Sequence, residues 1–315
     1  MTEAYIYDGI RTPFGRYAGS LARVRPDDLL ASVIRQLVDK NKITPELIED
    51  VIAGCTNQAG EDSRNIARNA ALISGLPVTT GGMTLNRLCG SGLSAVLDAA
   101  RTVRSGEANI LIAGGVESMS RSPWVIGKAE NGFSRNQKMC DSTLGWRFPN
   151  HKLTDQYGED SNSETADNIA VDLEISREDS DAFAYWSQQK YQTALENGFF
   201  DDEIMCLEVP GASRKAPSVI VEKDEHPRPE TTLAKLETLK SVSEGGVVTA
   251  GNASGLNDGA AALLIGSEEA GKKLGLRPRA RVVCGAVVGV EPRVMGLGPM
   301  PATDAVMKRA GSGLD

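Results

Sequence analysis

The sequence predicts an α/β fold in which helices cover both faces of a sheet. Three observations support this: a continuous apolar strand at 109–115, a periodic helix at 91–104 just before it, and another apolar strand at 261–265. Strands that are apolar along their whole length are buried on both faces, which is typical of parallel sheets packed between helices. We therefore expect a parallel sheet with helices on both sides.

The first 85 residues alternate between strands and helices. A short strand at 3–8 is followed by a loop at 9–15, because two glycines and a proline interrupt the pattern there. Pro26 begins a helix with Asp27 and Asp28 in its first turn. The next predicted elements are a buried strand at 51–54, a helix at 63–73 and an extended run at 83–85.

A single cysteine, Cys89, lies at the turn between this extended run and the helix at 91–104. The free N–H groups and the dipole at a helix start favour the thiolate, which is the nucleophilic form. Gly90 and Gly92 let a substrate carbonyl approach the backbone amides, as an oxyanion site requires. The alternative is that Cys89 is a small buried apolar residue. The strand–turn–helix setting with flanking glycines favours the nucleophile.

From Arg121 the periodic pattern breaks down for about forty residues, a length at which loops are usually functional or make contacts elsewhere. Its aromatic side chains, if exposed, indicate a subunit contact or a substrate cover, although plain surface packing fits equally. Helices return at 163–173 and 177–197, and the second ends at Gly198. We therefore expect 121–245 to be an insertion. The aromatic residues are Trp124, Phe133, Trp146 and Phe148.

The α/β layer returns at 246–270. A turn rich in glycine, asparagine and serine precedes the strand at 261–265, and a helix at 268–274 follows it. The last predicted elements are a strand at 281–290 and a helix at 303–309 behind Thr303.

Composition excludes several classes of function. The 315 residues carry a net charge of −8, which argues against a nucleic-acid or anionic-membrane surface. The five cysteines are scattered without a C-x-x-C pair, so we expect neither a metal site nor disulfides, and a reducing compartment fits best. We see no secretory signal and no apolar run near the roughly 20 residues of a membrane span, so we expect a cytoplasmic protein.

Several separate motifs together resemble the thiolase family. Residues 86–92 (Asn-Arg-Leu-Cys-Gly-Ser-Gly) are similar to its nucleophile motif, and 114–120 and 249–259 are similar to its second and third signatures. Residues 11–15 (Arg-Thr-Pro-Phe-Gly) add to the likeness, which covers essentially the whole chain. Within the family, the motifs that most resemble the degradative enzymes acting on 3-oxoadipyl-CoA are 141–148 and 226–232.

The resemblance implies a layered α-β-α-β-α thiolase fold of two similar halves. Residues 1–120 and 246–270 would form the N-terminal half, 121–245 the inserted loop domain, and 271–315 the start of the C-terminal half. It also implies a homotetramer, for which we expect contacts through 121–150. No nucleic acid, membrane or permanently bound cofactor is expected; coenzyme A is a substrate.

The implied reaction is the transfer of an acyl group from a 3-oxoacyl-CoA to CoA, with release of acetyl-CoA. Cys89 falls on the family's nucleophile, while Arg228 and Ser254 fall on positions that meet the adenine end and the pantetheine arm of CoA. Without the resemblance, a solvated loop charge describes Arg228 equally well, and a plain turn residue is the better interpretation of Ser254. Glu117, in the second signature, is interpreted as structural.

The sequence also departs from the family. A histidine in a Gly-His-Pro motif, a second cysteine in a Cys-x-Gly-x-Gly motif and an Asn-Glu-Ala-Phe motif are not in it. Its two histidines, His151 and His226, lie outside such motifs and are interpreted as surface residues. We therefore expect the sequence to be part of a longer enzyme, with the C-terminal half largely absent. Ser161 and Asn162 replace the histidine and methionine of biosynthetic members, which argues against acetoacetyl-CoA.

Three alternative functions stay open. One is an acetoacetyl-CoA thiolase, and another is a condensing acyltransferase such as a ketoacyl synthase, against which the signature at 114–120 argues. The third is a catalytically silent CoA-binding module.

Overall fold

A computed structural model describes residues 2–211, 213 and 215–313. The strands are β1 (Ala4–Arg11), β2 (Gly15–Arg16), β3 (Asp50–Gly54), β4 (Met83–Leu85), β5 (Ile110–Ser118), β6 (Trp124–Ile126), β7 (Met139–Asp141), β8 (Leu207–Val209), β9 (Val219–Val221), β10 (Asn257–Ser267) and β11 (Ala280–Arg281). The helices are α1 (Pro26–Lys40), α2 (Ile66–Ser74), α3 (Ser91–Ser105), α4 (His151–Tyr157), α5 (Asn162–Asp172), α6 (Arg177–Glu196), α7 (Leu233–Glu237), α8 (Glu268–Leu274) and α9 (Pro299–Ala310).

The central sheet is mixed rather than parallel. Its strands follow the order β11-β1-β10-β5-β3-β4, and β2 pairs with the start of β10. β3, β4 and β5 run parallel, whereas β10 lies between β1 and β5 and is antiparallel to both. The prediction of a parallel sheet was therefore only half right. An apolar strand shows that both faces are buried, but it does not show the direction of its neighbours.

Helices cover both faces of the sheet, as predicted. On one face, α1 and α2 pack against the side chains of Val51, Ile112 and Leu264. On the other face, α3 packs against Ile52 and Leu111. Successive residues of β3 and β5 thus enter opposite cores, which explains why both strands are apolar throughout.

The predicted insertion has little core of its own. β6 pairs with β7, β8 with β9, and α6 packs against α7. Two aspartates tie its helices to the turn before β10: Asp167 Oδ1 accepts the N–H groups of Val247 and Val248, and Asp181 Oδ1 accepts from Asn252 Nδ2 at 3.0 Å. The insertion therefore helps to fix the geometry of that turn.

The last part of the chain differs from the prediction. Of the expected strand at 281–290, only Arg281 is regular. Together with Ala280 it forms β11, which pairs with β1 as the outermost strand of the sheet. Within the described residues no further strand lies beside 282–290, so an apolar run cannot form a ladder there. The final helix begins at Pro299 rather than after Thr303, because proline fits the first helical turn. Residues 314 and 315 of the predicted C-terminal segment lie outside the described residues.

Within the described part of the chain, every helix is too short or too polar to cross a lipid bilayer.

Candidate active site

Cys89 lies exposed in a tight turn between β4 and α3. Leu88 is in the left-handed region with φ 47°. The turn is held by hydrogen bonds, from Leu88 N–H to Asn86 Oδ1 at 2.8 Å and from Arg87 N–H to Ser91 Oγ at 2.7 Å. The hydroxyl of Ser91 in turn donates to the carbonyl of Leu88 at 2.6 Å. These bonds hold the cysteine at a defined place outside the helix.

The start of α3 offers free N–H groups beside Cys89. Gly90 is the N-cap and has no side chain that could accept from the first turn. Ser94 N–H donates to Gly90 O at 3.0 Å, but no described residue accepts from the N–H groups of Gly92 and Leu93. Unpaired N–H groups at a helix start stabilise negative charge nearby. This arrangement suits both a thiolate and a developing oxyanion.

Gly54, at the end of β3, allows α3 to begin directly over the sheet. A Cβ at this position would lie 2.6 Å from Ser91 Cβ and 2.7 Å from Gly92 N. Such contacts are too short for any side chain, so only glycine fits without moving the helix start. The placement of Cys89 thus depends on a residue far from it in sequence.

Cys89 and Ser254 lie at the same edge of the sheet. The parallel strands β3, β4 and β5 all end there, and antiparallel β10 begins there, since Asp258 lies opposite Ser118. Cys89 follows β4 and Ser254 precedes β10. These two strands are three positions apart in the sheet order, which corresponds to about 14 Å. A long substrate lying along this edge could reach both.

Arg228 and Ser254 line one cavity of about 770 Å³. Gln188 and Lys235 also line it, whereas Cys89 is not among its lining residues. One guanidinium nitrogen of Arg228, Nη1, donates to the carbonyls of residues 225–227. The backbone N–H of Arg228 donates to Gln188 Oε1 at 2.8 Å. The structure therefore brings Arg228 and Ser254 together, with the remaining guanidinium nitrogens of Arg228 free of these bonds.

His226 is not the open surface residue that the sequence suggested. It is partly buried, lines the same cavity, and packs so closely on Gly255 that a Cβ there would overlap its ring. Its Nε2 lies 3.2 Å from the carbonyl oxygen of Leu256. The polar sequence around it concealed this, because the turn that covers it is distant in the chain. His151, by contrast, is exposed as expected.

A largely buried ion pair fixes the segment that carries His226 and Arg228. Arg11 Nη1 and Nη2 contact the carboxylate of Asp224 at 2.8 and 3.0 Å, and Arg11 Nε contacts Glu203 at 2.7 Å. The same carboxylate accepts from Phe14 N–H at 2.7 Å and from the Tyr191 hydroxyl at 3.0 Å. Asp224 therefore joins β1, α6 and the cavity wall.

The electrostatics of this pair follow from burial and hydrogen bonding. Burial opposes ionisation of Asp224, but the bonds from Arg11 and Phe14 outweigh it and hold the pKa of that carboxyl below its ordinary value. Burial, and then the Asp224 charge, raise the pKa of Tyr191 to about 12, so this hydroxyl stays protonated and donates. Both effects favour a charged carboxylate surrounded by donors.

Glu225 extends the same anchor. Its Oε2 accepts from the N–H groups of Arg16 and Ser20 and from the Ser20 hydroxyl, all within 3.0 Å. Two consecutive acidic residues thus join the loop at 12–20 to the segment that carries His226 and Arg228. Asp224 and Glu225 were not predicted from the sequence; their position just before Arg228, together with Arg11 in the first motif, was the available signal.

Glu117 has the structural role expected of it. Its carboxylate accepts from the N–H groups of Thr56 and Asn57 at 2.9 and 3.1 Å, and from the Thr56 hydroxyl. Cys55, Asp62 and Glu117 place potential metal ligands within 4.8 Å of one another. However, Cys55 Sγ donates to Asn57 O at 3.0 Å, and burial raises the pKa of its thiol. These hydrogen bonds show that Cys55 and Glu117 anchor the loop after β3, which accounts for the cluster without a metal ion.

Comparisons with known proteins agree with this architecture. The sequence-family model described as the thiolase N-terminal domain matches residues 4–269 of this chain. The 3-oxoadipyl-CoA/3-oxo-5,6-dehydrosuberyl-CoA thiolase of Escherichia coli (strain K12) is 55% identical over 313 residues, which are 99% of this chain and 78% of that protein. A beta-ketoadipyl-CoA thiolase of Acinetobacter baylyi is 52% identical over 317 residues, 100% of this chain and 79% of that protein.

Two solved structures extend the comparison. The Bacillus anthracis acetyl-CoA acetyltransferase superimposes with a TM-score of 0.91 at 36% identity, over 100% of this chain and 78% of that one. Human mitochondrial 3-ketoacyl-CoA thiolase in complex with CoA gives a TM-score of 0.89 at 37% identity, over 99% of this chain and 77% of that one.

Proposed function

Because the chain belongs to the thiolase family of acyltransferases, we propose that it transfers the acyl group of 3-oxoadipyl-CoA to CoA through Cys89. The 3-oxoadipyl preference is supported by the relatives at 52–55% identity, which are named for that substrate. The observation that carries the proposal is the exposed Cys89 at the start of α3, on the same sheet edge as the cavity.

The proposed chemistry has two steps. The Cys89 thiolate attacks the 3-oxo carbon, the bond between C2 and C3 breaks, and the electron pair passes to the enolate of acetyl-CoA, which takes up a proton and leaves. For 3-oxoadipyl-CoA the group left on sulfur is succinyl, which CoA then removes as a thioester. The N–H groups of Gly92 and Leu93 would stabilise negative charge on the substrate oxygen.

We assign CoA to the cavity that Arg228 and Ser254 line, as a substrate rather than a resident cofactor. The small side chains at 250–255 let a narrow chain lie along the backbone, and Arg228 supplies positive charge and a planar surface for a purine. The thioester end would extend along the sheet edge toward Cys89.

We also propose that the chain self-associates through residues 121–150. Trp124, Phe133, Met139 and Trp146 are exposed there, although single-chain folding usually buries such side chains. A homotetramer would cover them. For the domain organisation, we assign 1–120 and 246–270 to one α/β half, 121–245 to an insertion and 271–315 to the start of a second half.

Thiolysis of synthetic 3-oxoadipyl-CoA with CoA tests the proposal. Mass spectrometry of the products should find acetyl-CoA and succinyl-CoA with the wild-type chain and neither with Cys89→Ser. Faster cleavage of acetoacetyl-CoA would instead favour the alternative thiolase. Binding of CoA without any acyl transfer would support the alternative of a catalytically silent CoA-binding module.

A further inference from the structure

The turn that carries Cys89 contains an unfavourable backbone conformation. Leu88 has φ 47°, a left-handed conformation that a leucine adopts only where its surroundings enforce it. The proposed acyl transfer needs the Cys89 sulfur at a fixed place, because a displacement of about 1 Å from the attack geometry can cost about 100-fold in rate. The side chains that enforce the conformation of Leu88 therefore control where the sulfur lies.

Asn86 binds both this turn and the neighbouring loop through its two amide atoms. Its Oδ1 accepts from Leu88 N–H at 2.8 Å, and its Nδ2 donates to the carbonyl oxygen of Thr56 at 3.2 Å. The first bond fixes the left-handed residue next to Cys89, and the second fixes Asn86 itself. Thr56 lies in the loop after β3, so one side chain joins the nucleophile turn to a separate part of the sheet edge.

Glu117 of β5 holds the loop to which Asn86 is bonded. One of its carboxylate oxygens accepts from the N–H of Thr56 at 2.9 Å and from the Thr56 hydroxyl, and the other accepts from Asn57 N–H at 3.1 Å. β5 lies inside the sheet, between β3 and β10. A chain of hydrogen bonds therefore runs from the interior of the sheet to the residue before Cys89.

Ser91 supports the same turn in a different way. Its Oγ accepts from Arg87 N–H at 2.7 Å and donates to the carbonyl of Leu88 at 2.6 Å, so both bonds close within the turn. Among the described side chains of 86–91, Asn86 alone forms a hydrogen bond to a segment distant in the chain. Asn86 thus adds the connection that the turn lacks by itself.

We propose that Asn86 is a positioning residue for the nucleophile and that Glu117 acts through it; this inference rests on the function proposed above. Asn86 holds Leu88 in the conformation that places Cys89 at the start of α3, and Glu117 holds the loop to which Asn86 is bonded. Loss of either side chain should slow the acylation of Cys89 and leave binding at the cavity of Arg228 and Ser254 unchanged.

Asn65 offers a matched control at the other end of β4. Its Oδ1 accepts from Arg68 N–H at 3.2 Å and its Nδ2 donates to the carbonyl of Gly82 at 2.7 Å, so it also joins two segments through both amide atoms. Gly82 precedes β4, whereas Cys89 follows it. Asn65→Ala should therefore lower the free energy of unfolding without changing the acylation of Cys89.

The test is single-turnover acylation of the full chain by 3-oxoadipyl-CoA, with the succinyl adduct on Cys89 measured by intact-mass spectrometry. The dependence on substrate concentration gives a maximal rate and a half-saturating concentration. Asn86→Ala should lower the maximal rate about tenfold, the effect of one lost neutral hydrogen bond, with the half-saturating concentration unchanged. Asn86→Ser should recover part of the rate, because a serine hydroxyl accepts from the N–H two residues later but is too short to reach Thr56.

A double variant tests the link to Glu117. Glu117→Gln replaces one acceptor oxygen with a donor, so by itself it should slow acylation by about three- to tenfold. Because this effect passes through the bond between Thr56 and Asn86, the variant that combines Glu117→Gln with Asn86→Ala should be no slower than Asn86→Ala. Losses that multiply in the double variant would show two independent effects and would overturn the role of Glu117.

Other results would overturn the role of Asn86. An unchanged acylation rate in Asn86→Ala, or equal slowing in Asn65→Ala, would remove any specific effect on the nucleophile. A higher half-saturating concentration at an unchanged maximal rate would place Asn86 in substrate binding instead. In each of these cases the wild-type chain still acquires the succinyl group, so the proposed function stands. A wild-type chain that acquires none would contradict that function, and this inference with it.

Discussion

Replacing Asp224 with alanine should destabilise the fold and loosen the cavity that Arg228 and Ser254 line. The side chains of Arg11 and Asp224 are 12% and 7% exposed, so the variant leaves a buried guanidinium without its main partner. Removing one member of a buried pair costs about 3–5 kcal/mol of unfolding free energy. Because Glu203 still contacts Arg11 Nε at 2.7 Å, we expect the lower end, about 3 kcal/mol.

The matched control is Asp172→Ala. Asp172 also binds an arginine through both oxygens, with Arg293 Nη1 at 2.6 Å and Nη2 at 3.2 Å, but both side chains are exposed. Urea titration followed by tryptophan fluorescence measures both variants against the wild type. If Asp224→Ala lowers the free energy of unfolding no more than Asp172→Ala does, burial does not make the Arg11–Asp224 pair more stabilising than an exposed pair.

Low pH should remove the stabilisation that the Asp224 carboxylate gives the folded protein. The pKa of the folded carboxyl lies below the ordinary value of 3.8, so its stabilisation is complete above that pH and declines as the pH falls through the folded value. The difference in unfolding free energy between wild type and Asp224→Ala should therefore narrow below pH 3.8. A difference that stays constant into strong acid would contradict the pKa direction.

Three further predictions concern the nucleophile, the cavity and the exposed aromatic residues. Gly54→Ala should cost about 1–3 kcal/mol of stability and slow Cys89 alkylation by iodoacetamide, because its Cβ overlaps the start of α3, whereas Gly132→Ala should change neither. Ser254→Phe should lower CoA affinity by about tenfold or more in calorimetry by filling the cavity, with an unchanged circular dichroism spectrum; undiminished CoA binding would place CoA elsewhere. Phe133→Glu should shift the mass measured by light scattering toward the single chain, and an unchanged oligomer would contradict contacts through 121–150.

The local parts of the fold were predictable from the sequence. The helix after Cys89 follows from apolar spacing, and the strand predicted at 109–115, observed as Ile110–Ser118, follows from a continuous apolar run; both signals lie within a few neighbouring residues. The sheet directions were not predictable in the same way. β10 pairs antiparallel with β5 across the whole insertion, and apolar composition is the same for either direction.

The site was predictable only where a motif marks it. Cys89, Arg228 and Ser254 were identified before the structure, and the structure places Arg228 and Ser254 on one cavity. The Arg11–Asp224 pair and the burial of His226 were not, because each depends on segments that are distant in the chain and meet only after folding. The expected strand at 281–290 failed for the same reason: an apolar pattern needs a neighbouring strand.

The central claim is that the sulfur of Cys89 carries the acyl group, and intact-mass spectrometry tests it most directly. Brief incubation with 3-oxoadipyl-CoA, without free CoA, should add the mass of one succinyl group, and peptide mapping should locate it on Cys89. Added CoA should remove it, and Cys89→Ser should never acquire it. An acyl adduct on another residue, or a wild-type chain that stays unmodified while it turns over substrate, would contradict the account.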